Sequence, residues 1–262
     1  MRRRTVLVAC LTTASAAVAG AGVWSRRGGP APLLPPAPAG MERLERMYSV
    51  ARGRVVDFWT AVPHGHGDGA DLPVCLVLHG SSKRPPDFPA LGLGGFLTDA
   101  VRRGAPPFVL AGATGDRLAW QPAGADDPQR MVAEEIPAWC ARRGLDSGRL
   151  AAWGWSMGGY GALLLAESRP GLLRAVAAFS PAVGPGDPVF RGITRLGATP
   201  VGLWCGTDDP LYPPVRTLHD ALPAEPAAGG YGPGRHNFGY WSTILAPAFD
   251  FIGATLDGSA AT

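Results

Sequence analysis

Apolar residues follow two patterns along this chain: short uninterrupted runs, and longer stretches in which they recur every three or four residues. Continuous runs are typical of strands buried on both faces, whereas the longer spacing is typical of helices. The first predicted strand instead alternates, with Val56, Phe58 and Val62 on one face. The predicted strands cover residues 54–63, 74–78, 108–111, 150–153, 175–179 and 201–205, and predicted helices cover 96–103, 161–168 and 241–256.

One further helix is predicted to open at Asp127 and Pro128. An aspartate can cap the first turn and proline suits the first helical position, although Pro137 should kink the helix downstream. Strands that alternate with helices predict the α/β fold class, with a mostly parallel central sheet flanked by helices. Only residues 181–200 separate the last two predicted strands. We therefore expect no large cap domain over the carboxyl ends of the strands, where such sheets bind ligands.

Composition agrees with a packed domain and excludes a wholly disordered chain. Of the 262 residues, 46% are hydrophobic, 17% are charged and eight are tryptophan. Disordered chains are rich in charge and poor in aromatic residues. The net charge of +3 arises in residues 1–27, which hold five arginines and no acid, because the remainder carries 19 basic and 21 acidic residues. No basic patch is left to hold a phosphate backbone, so nucleic acid is not an expected partner.

Residues 1–27 have the form of an export signal or an N-terminal anchor. Three arginines precede an Ala-rich apolar stretch at residues 5–24, in which small residues are placed for cleavage. Arg3-Arg4-Thr5-Val6-Leu7 resembles the twin-arginine export signal of bacteria. If the segment stays uncleaved, about 20 apolar residues can tether the protein to a membrane. Residues 28–40, rich in Pro, Ala and Gly, predict an extended mobile linker, and residues 41–262 predict the folded domain.

The candidate nucleophile follows the strand predicted at residues 150–153. Gly154-Trp155-Ser156-Met157-Gly158 fits G-x-S-x-G, in which small residues on both sides of a serine let a strand turn sharply into a helix. Such a turn lifts the serine hydroxyl clear of the sheet. An apolar strand runs into the pattern and an apolar helix runs out of it. This context favours a nucleophile elbow over an ordinary turn serine.

A serine hydroxyl is a weak nucleophile, so it needs a base and an acidic group that orients the base. In the fold that uses this elbow, the order along the chain is serine, acid, histidine. Two adjacent acids, Asp208 and Asp209, follow the strand predicted at residues 201–205, and His236 precedes the last helix. His236 is the preferred base. His219 lies in a predicted surface helix ahead of the expected position, and His79 precedes the serine, although it ends a strand and can shape the site.

Two backbone N–H groups are needed to stabilise the oxyanion that forms in acyl transfer. One is expected from Met157, the residue after the serine. The other is expected from Ser81, in the loop that follows the strand at residues 74–78, where Gly80 lets the backbone approach a substrate. Trp120, on the loop after residues 108–111, is a candidate wall of the cleft, with an ordinary packed surface aromatic as the alternative.

Neither a metal nor another cofactor is expected. His64-Gly65-His66-Gly67-Asp68 begins like the H-x-H-x-D-H signature of metallo-β-lactamase-like hydrolases, but Gly69 stands where the signature ends in histidine. A Gly-rich loop between two strands is the preferred interpretation. Three cysteines lie beyond the signal segment, Cys75, Cys140 and Cys205, and we expect them to be mostly buried and inert.

Four stretches carry a family resemblance: the Leu78-His79-Gly80 strand end, the GWSMGGYGALLLA elbow, the CGTDDPLY acid loop and the HNFGYW stretch. Together they resemble the α/β-hydrolase superfamily, within it the esterase branch that includes S-formylglutathione hydrolases (esterase D) and the secreted mycolyltransferases. The resemblance covers residues 55–256. It implies an α/β-hydrolase fold with a Ser156–Asp209–His236 triad, and with Ser81 and Met157 at the oxyanion hole. The chain departs from mycolyltransferases, which use Glu as the acid, and lacks the Cys-bearing pattern of the glutathione enzymes beside the oxyanion loop.

Asp209 is the preferred acid of the adjacent pair. Many α/β-hydrolases end this strand in G-x-x-D, and counting from Gly206 selects position 209. Pro210 restricts the residue before it to extended backbone conformations, which helps to hold that side chain in one place. Asp208 remains the second choice.

The sequence therefore predicts an exported serine esterase that hydrolyses carboxylic esters through an acyl-enzyme on Ser156. Its expected partner is a small-molecule or glycolipid-like ester substrate. One alternative is an acyltransferase, in which a sugar or lipid hydroxyl replaces water. The other is a non-catalytic envelope or binding protein on the same fold.

Overall fold

The computed structural model describes residues 32–258. The predicted export signal or membrane tether at residues 1–27 lies outside the described residues, as does the first part of the predicted linker. Within residues 32–258, eight strands form one sheet in the order β1-β2-β4-β3-β5-β6-β7-β8. The strands are β1 Glu42–Ser49, β2 Arg54–Ala61, β3 Pro73–Leu78, β4 Val109–Ala113, β5 Asp146–Trp155, β6 Val176–Phe179, β7 Val201–Gly206 and β8 Ala228–Gly232.

The sheet is mostly parallel, as predicted. Strand β2 pairs antiparallel with β1 and with β4. All pairs from β4 to β8 are parallel. The carboxyl ends of β3, β5, β6, β7 and β8 therefore meet at one edge of the sheet, where the candidate site residues lie.

Helices cover both faces of this sheet. Helices α1 and α6 pack on one face, and α2 to α5 pack on the other. No large cap domain covers the sheet in the described part of the chain. The helices are α1 Leu93–Arg102, α2 (Pro128–Arg130, a π-helical turn Met131–Glu135, and Ile136–Ala141), α3 Met157–Ser168, α4 Pro188–Gly192, α5 Tyr212–Ala221 and α6 Phe238–Asp257.

Burial on both faces explains the uninterrupted apolar runs. In β3 all six residues are buried, and Leu76 contributes to the core on one face while Val77 contributes to the core on the other. Successive side chains of a strand point to opposite faces, so a strand between two helical layers needs apolar residues at every position. Each such side chain contributes about 1.5–3 kcal/mol on burial.

Helix α2 begins as predicted and contains a π-helical turn ahead of Pro137. The Asp127 side chain caps the first turn by accepting the Arg130 N–H at 2.8 Å. Proline has no N–H to donate to the carbonyl four residues earlier, and its ring crowds that carbonyl. The wider π-helical turn Met131–Glu135 ends two residues before Pro137 and contains Ala133, whose carbonyl the ring would crowd in a regular helix.

Two strands were not predicted, and both lie at the edges of the sheet. Strand β1 has the sequence ERLERMYS and is largely exposed, so it shows no apolar run. Strand β8 has the sequence AGGYG, in which three glycines leave too few apolar side chains to form a recognisable strand pattern. Edge strands are paired on one side only and carry polar residues without cost.

The described end of the predicted linker contacts the domain. The Leu33 N–H donates to the Ser242 Oγ of α6 at 3.1 Å. Residues Ala37 and Ala39 pass so close to the start of α1 that a Cβ on Gly95 or Gly94 would lie 3.0 Å from them. Across residues 32–258, none of the helices combines the length and the apolar character needed to cross a membrane.

Candidate active site

Ser156 occupies a strained turn between β5 and α3. Its φ of 55° and ψ of −123° lie in a region that residues with a side chain rarely adopt. The two flanking glycines make the turn possible. A Cβ on Gly154 would lie 2.4 Å from the backbone of Gly158, and a Cβ on Gly158 would lie 1.8 Å from the Leu78 carbonyl oxygen. Side chains at either position would push α3 away from β5 and β3.

The structure brings Ser156, His236 and Asp209 into one chain of hydrogen bonds. The Ser156 Oγ lies 2.9 Å from His236 Nε2, and His236 Nδ1 lies 2.8 Å from Asp209 Oδ2. A carboxylate only accepts, so Nδ1 carries the hydrogen and Nε2 is free to accept the serine proton. All three side chains are at least nine-tenths buried. This arrangement can activate a serine hydroxyl as a nucleophile.

The two adjacent acids have different surroundings. Asp209 is 3% exposed, and its second carboxylate oxygen accepts the Leu211 N–H at 2.8 Å. Asp208 is exposed, and its backbone N–H donates to the Gly234 carbonyl at 2.9 Å. That backbone contact holds the acid loop against the loop that carries His236, while only the Asp209 carboxylate reaches the imidazole.

Three other histidines, His64, His66 and His219, lie outside this chain of hydrogen bonds. His219 is on α5, where its Nδ1 lies 2.8 Å from the Tyr231 hydroxyl and its Nε2 lies 3.2 Å from Glu225. His64 and His66 lie in the loop between β2 and β3. Over residues 32–258 there is no group of three His, Cys, Asp or Glu side chains that could hold a metal ion.

The two proposed oxyanion donors lie on adjacent segments. Met157 is the first residue of α3, and Ser81 is half-buried in the turn after β3. A Cβ on Gly158 would lie 2.8 Å from the His79 carbonyl oxygen, so the start of α3 and the loop touch. In the described part of the chain, neither the Ser81 nor the Met157 backbone N–H has an acceptor. Gly80 is required here because a Cβ would lie 2.8 Å from the Trp155 indole.

Trp120 is neither a wall of the cleft nor a surface aromatic, so both sequence interpretations are wrong. It is fully buried. Its ring fills a slot between two glycines, since a Cβ on Gly115 or Gly161 would lie 2.5 Å from it. The indole N–H donates to the His79 carbonyl oxygen at 3.1 Å. The glycines after the elbow were the available signal, because a helix starting GGYG leaves room for a large ring.

Sequence reasoning also missed the aromatic support of His236. The Trp241 ring packs edge-on against the imidazole, with centroids 4.9 Å apart. The indole N–H donates to the Ser180 Oγ at 3.1 Å, and Ser180 directly follows β6 with a φ of 42°. The strand ends around the site therefore support the histidine as well as the serine.

The three cysteines are free and buried, as predicted. Burial raises the pKa of Cys140 and of Cys205 to about 12, and the negative charge of Asp209 adds to the shift at Cys205. These thiols stay protonated at neutral pH and are poor nucleophiles. Cys205 therefore does not compete with Ser156, although it lies beneath the acid loop.

Comparison with known proteins identifies the family of the chain. A family model described as "Putative esterase" matches residues 53–212. The chain belongs to this esterase family. The match spans more than half of the chain and includes Ser156 and both acids, while His236 lies beyond it. As a member of the family, this esterase is a carboxylic ester hydrolase.

Solved structures show the same fold at low identity. The ferulic acid esterase from Anaeromyces mucronatus, in complex with ferulic acid, is 19% identical with a TM-score of 0.69, covering 87% of this chain and 94% of that chain. An S-formylglutathione hydrolase from Agrobacterium tumefaciens is 17% identical with a TM-score of 0.67, covering 83% and 96%. MPT51 (FbpC1) of Mycobacterium tuberculosis is 18% identical with a TM-score of 0.62, covering 83% and 100%.

These likenesses establish the α/β-hydrolase fold of the esterase. Among curated proteins, no sequence matches the chain significantly.

Proposed function

We propose that this esterase hydrolyses carboxylic esters through a covalent acyl-enzyme on Ser156. The hydrogen-bonded chain from Ser156 through His236 to Asp209 carries the proposal. Its two distances, 2.9 and 2.8 Å, are those of formed hydrogen bonds, and the order of the three residues is that of the fold.

The mechanism follows from the atoms involved. The Ser156 Oγ attacks the ester carbonyl carbon while its proton passes to His236 Nε2. Asp209 holds the Nδ1–H of the imidazole and stabilises the imidazolium that forms. The developing oxyanion is bound by the N–H groups of Met157 and Ser81. The imidazolium then protonates the departing alcohol. A water molecule, deprotonated by the same nitrogen, attacks the acyl carbon, and the proton returns from Nε2 to the Ser156 Oγ as the bond to the serine breaks and the acid leaves.

The substrate class we propose is a small-molecule carboxylic ester. The described residues carry no large cap over the carboxyl ends of the strands, which leaves an approach for the acyl and alcohol parts of the substrate. The solved relatives include a ferulic acid esterase and an S-formylglutathione hydrolase. Esters of aromatic acids such as ferulate, and thioesters, are therefore the first substrates to compare, each with and without an added polyol to detect acyl transfer.

Fluorophosphonate labelling tests the nucleophile. The wild-type esterase should be labelled and should hydrolyse an activated aryl ester, whereas Ser156→Ala should do neither. Ser168→Ala is the matched control, because Ser168 is an exposed serine at the far end of the same helix, and this variant should behave as the wild type. Undiminished labelling of Ser156→Ala would end the serine-hydrolase proposal.

We further propose export through the twin-arginine route, from the sequence of residues 1–27. Replacement of Arg3 and Arg4 together by Lys preserves the charge and should block translocation of the full chain. The measurement is the amount of esterase in the extracytoplasmic fraction, with wild type as reference. Normal export of the double variant would point to another route, and retention in the membrane fraction would point to an anchor.

A further inference from the structure

Both ring nitrogens of His79 are used, and their partners define one tautomer. The imidazole is 1% exposed at the end of β3. Its Nε2 lies 2.9 Å from the Gly115 backbone N–H, which can only donate. Nε2 is therefore the acceptor, and Nδ1 carries the hydrogen, which it donates to the Gly80 carbonyl oxygen at 2.8 Å. Burial lowers the pKa of His79 to about 4, so this neutral form persists at neutral pH.

The direction of the Gly80 carbonyl determines the direction of the Ser81 N–H. The two groups belong to one planar peptide unit, and the chain has no cis peptide bond in its described residues. In a trans peptide the C=O and N–H bonds point in opposite directions. Because the carbonyl is bonded to His79, the Ser81 N–H is turned away from the imidazole. A second bond, from the Lys83 N–H to the same carbonyl at 3.3 Å, holds this orientation.

A second loop holds the imidazole in turn. Gly115, the donor to Nε2, lies in the segment after β4, and Arg52 Nη1 donates to the carbonyl of the preceding Thr114 at 2.6 Å. Trp120 from the same segment donates its indole N–H to the His79 carbonyl oxygen. The loop after β3 is thus hydrogen-bonded to residues 114–120 through both the imidazole and the backbone carbonyl of His79.

We infer that His79 is a positioning residue that orients the Ser81 N–H toward the oxyanion of the reaction. The inference rests on the proposed function, since it assigns a role within that oxyanion hole. Without the Nδ1–H bond, only the longer bond from the Lys83 N–H still holds the Gly80 carbonyl, so the Gly80–Ser81 peptide is held less tightly and its N–H loses its fixed direction toward the transition state. Donors that must be aimed before the reaction are effective only while they are held.

Three substitutions of His79 distinguish the role of its Nδ1 hydrogen bond from that of its Nε2 hydrogen bond. His79→Ala removes both, and kcat should fall by about 10²–10³, the loss expected for one missing oxyanion donor. His79→Asn can place an amide N–H near the position of Nδ1, so it should recover kcat to within about tenfold of wild type. His79→Gln reaches the position of Nε2 instead and should remain as slow as the alanine variant. KM should change by less than about threefold in all three, because the lost interaction forms in the transition state.

The control is His219→Ala. This histidine lies on α5 and is hydrogen-bonded to Tyr231 of β8, so its loss should leave kcat unchanged. Trp120→Phe keeps the ring in its slot but removes the N–H bonded to the His79 carbonyl, and kcat should fall by about tenfold. This variant tests the positioning should His79→Ala fail to fold.

Equal kcat in His79→Asn and His79→Gln, or a loss confined to KM, would overturn the positioning role. So would full kcat in the alanine variant, or, where that variant fails to fold, full kcat in Trp120→Phe. Ser156→Ala distinguishes these failures from a failure of the proposed function. If Ser156→Ala is inactive while the His79 variants keep full kcat, only the role of His79 falls.

Discussion

Replacement of Asp209 by Asn tests which of two adjacent acids orients the imidazole. The amide keeps the shape of the carboxylate, and its oxygen can still accept the Leu211 N–H that now bonds to Oδ1 at 2.8 Å. The other position then presents an NH₂ group toward His236 Nδ1, 2.8 Å away. An NH₂ group donates, so Nδ1 must accept and the hydrogen must move to Nε2. In that tautomer Nε2 cannot take the serine proton.

The expected loss follows from that change of tautomer. Substitution of the triad acid by its amide can lower kcat by about 10⁴, which corresponds to about 5 kcal/mol of activation free energy. Because Asp209 is 3% exposed, water is poorly placed to replace the carboxylate. We therefore expect a fall in kcat of at least about 10² for Asp209→Asn.

Asp208→Asn is the matched control, since it makes the same chemical change one residue earlier on an exposed side chain. Its kcat should stay within about tenfold of wild type. The assay is kcat on one activated aryl ester for both variants, with thermal melts to show that each is folded. A large loss of kcat in Asp208→Asn, with kcat retained in Asp209→Asn, would refute the reasoning and assign the acid to Asp208.

Three further predictions concern stability. Burial raises the pKa of Glu167 from 4.5 to about 7, so the folded state holds a proton that the unfolded state releases, and stability falls as pH rises between those values. Glu167→Gln should therefore be more stable than wild type by up to about 3 kcal/mol at pH 8 and equal to it near pH 4.5, as measured by urea unfolding; a constant difference at both pH values would contradict this. Gly158→Ala should lower the free energy of unfolding by about 3 kcal/mol or more, because its Cβ would lie 1.8 Å from the Leu78 carbonyl oxygen. Gly230→Ala is the control: a Cβ there would meet open space, so its free energy of unfolding should be nearly unchanged in the same urea assay. Asn237→Ala removes the cap that accepts the Tyr240 N–H at 3.1 Å and should lower stability by about 1 kcal/mol, and an unchanged melting temperature would count against the cap.

Much of the sheet could be predicted because burial on two faces leaves a local record. A strand between two helical layers must be apolar at every position, so the β3 sequence PVCLVL can be recognised as a buried strand from its residues alone. Strand β1 could not be found in this way. Its sequence ERLERMYS is largely exposed, and its strand conformation comes from pairing with β2. Pairing depends on a neighbouring strand and leaves no apolar pattern.

The elbow was also locally encoded, because the glycines that permit the turn flank Ser156 in the chain. The acid was not. The spacing from Gly206 and the following Pro210 favour Asp209, but the choice depends on which carboxylate meets the imidazole of His236, 27 residues from Asp209. The same is true of His79, whose partner Gly115 lies 36 residues further along the chain.

The sequence by itself thus determined the layers of the fold, the turn at Ser156 and the order of the candidate residues, because strand burial and tight turns act on neighbours in the chain. Only the tertiary structure decided which aspartate reaches His236, why Trp120 is buried, and how His79 is bonded to the oxyanion loop. Each of these depends on contacts between segments that are distant in sequence. The pattern of residues within one segment does not show which side chains of another segment it will contact.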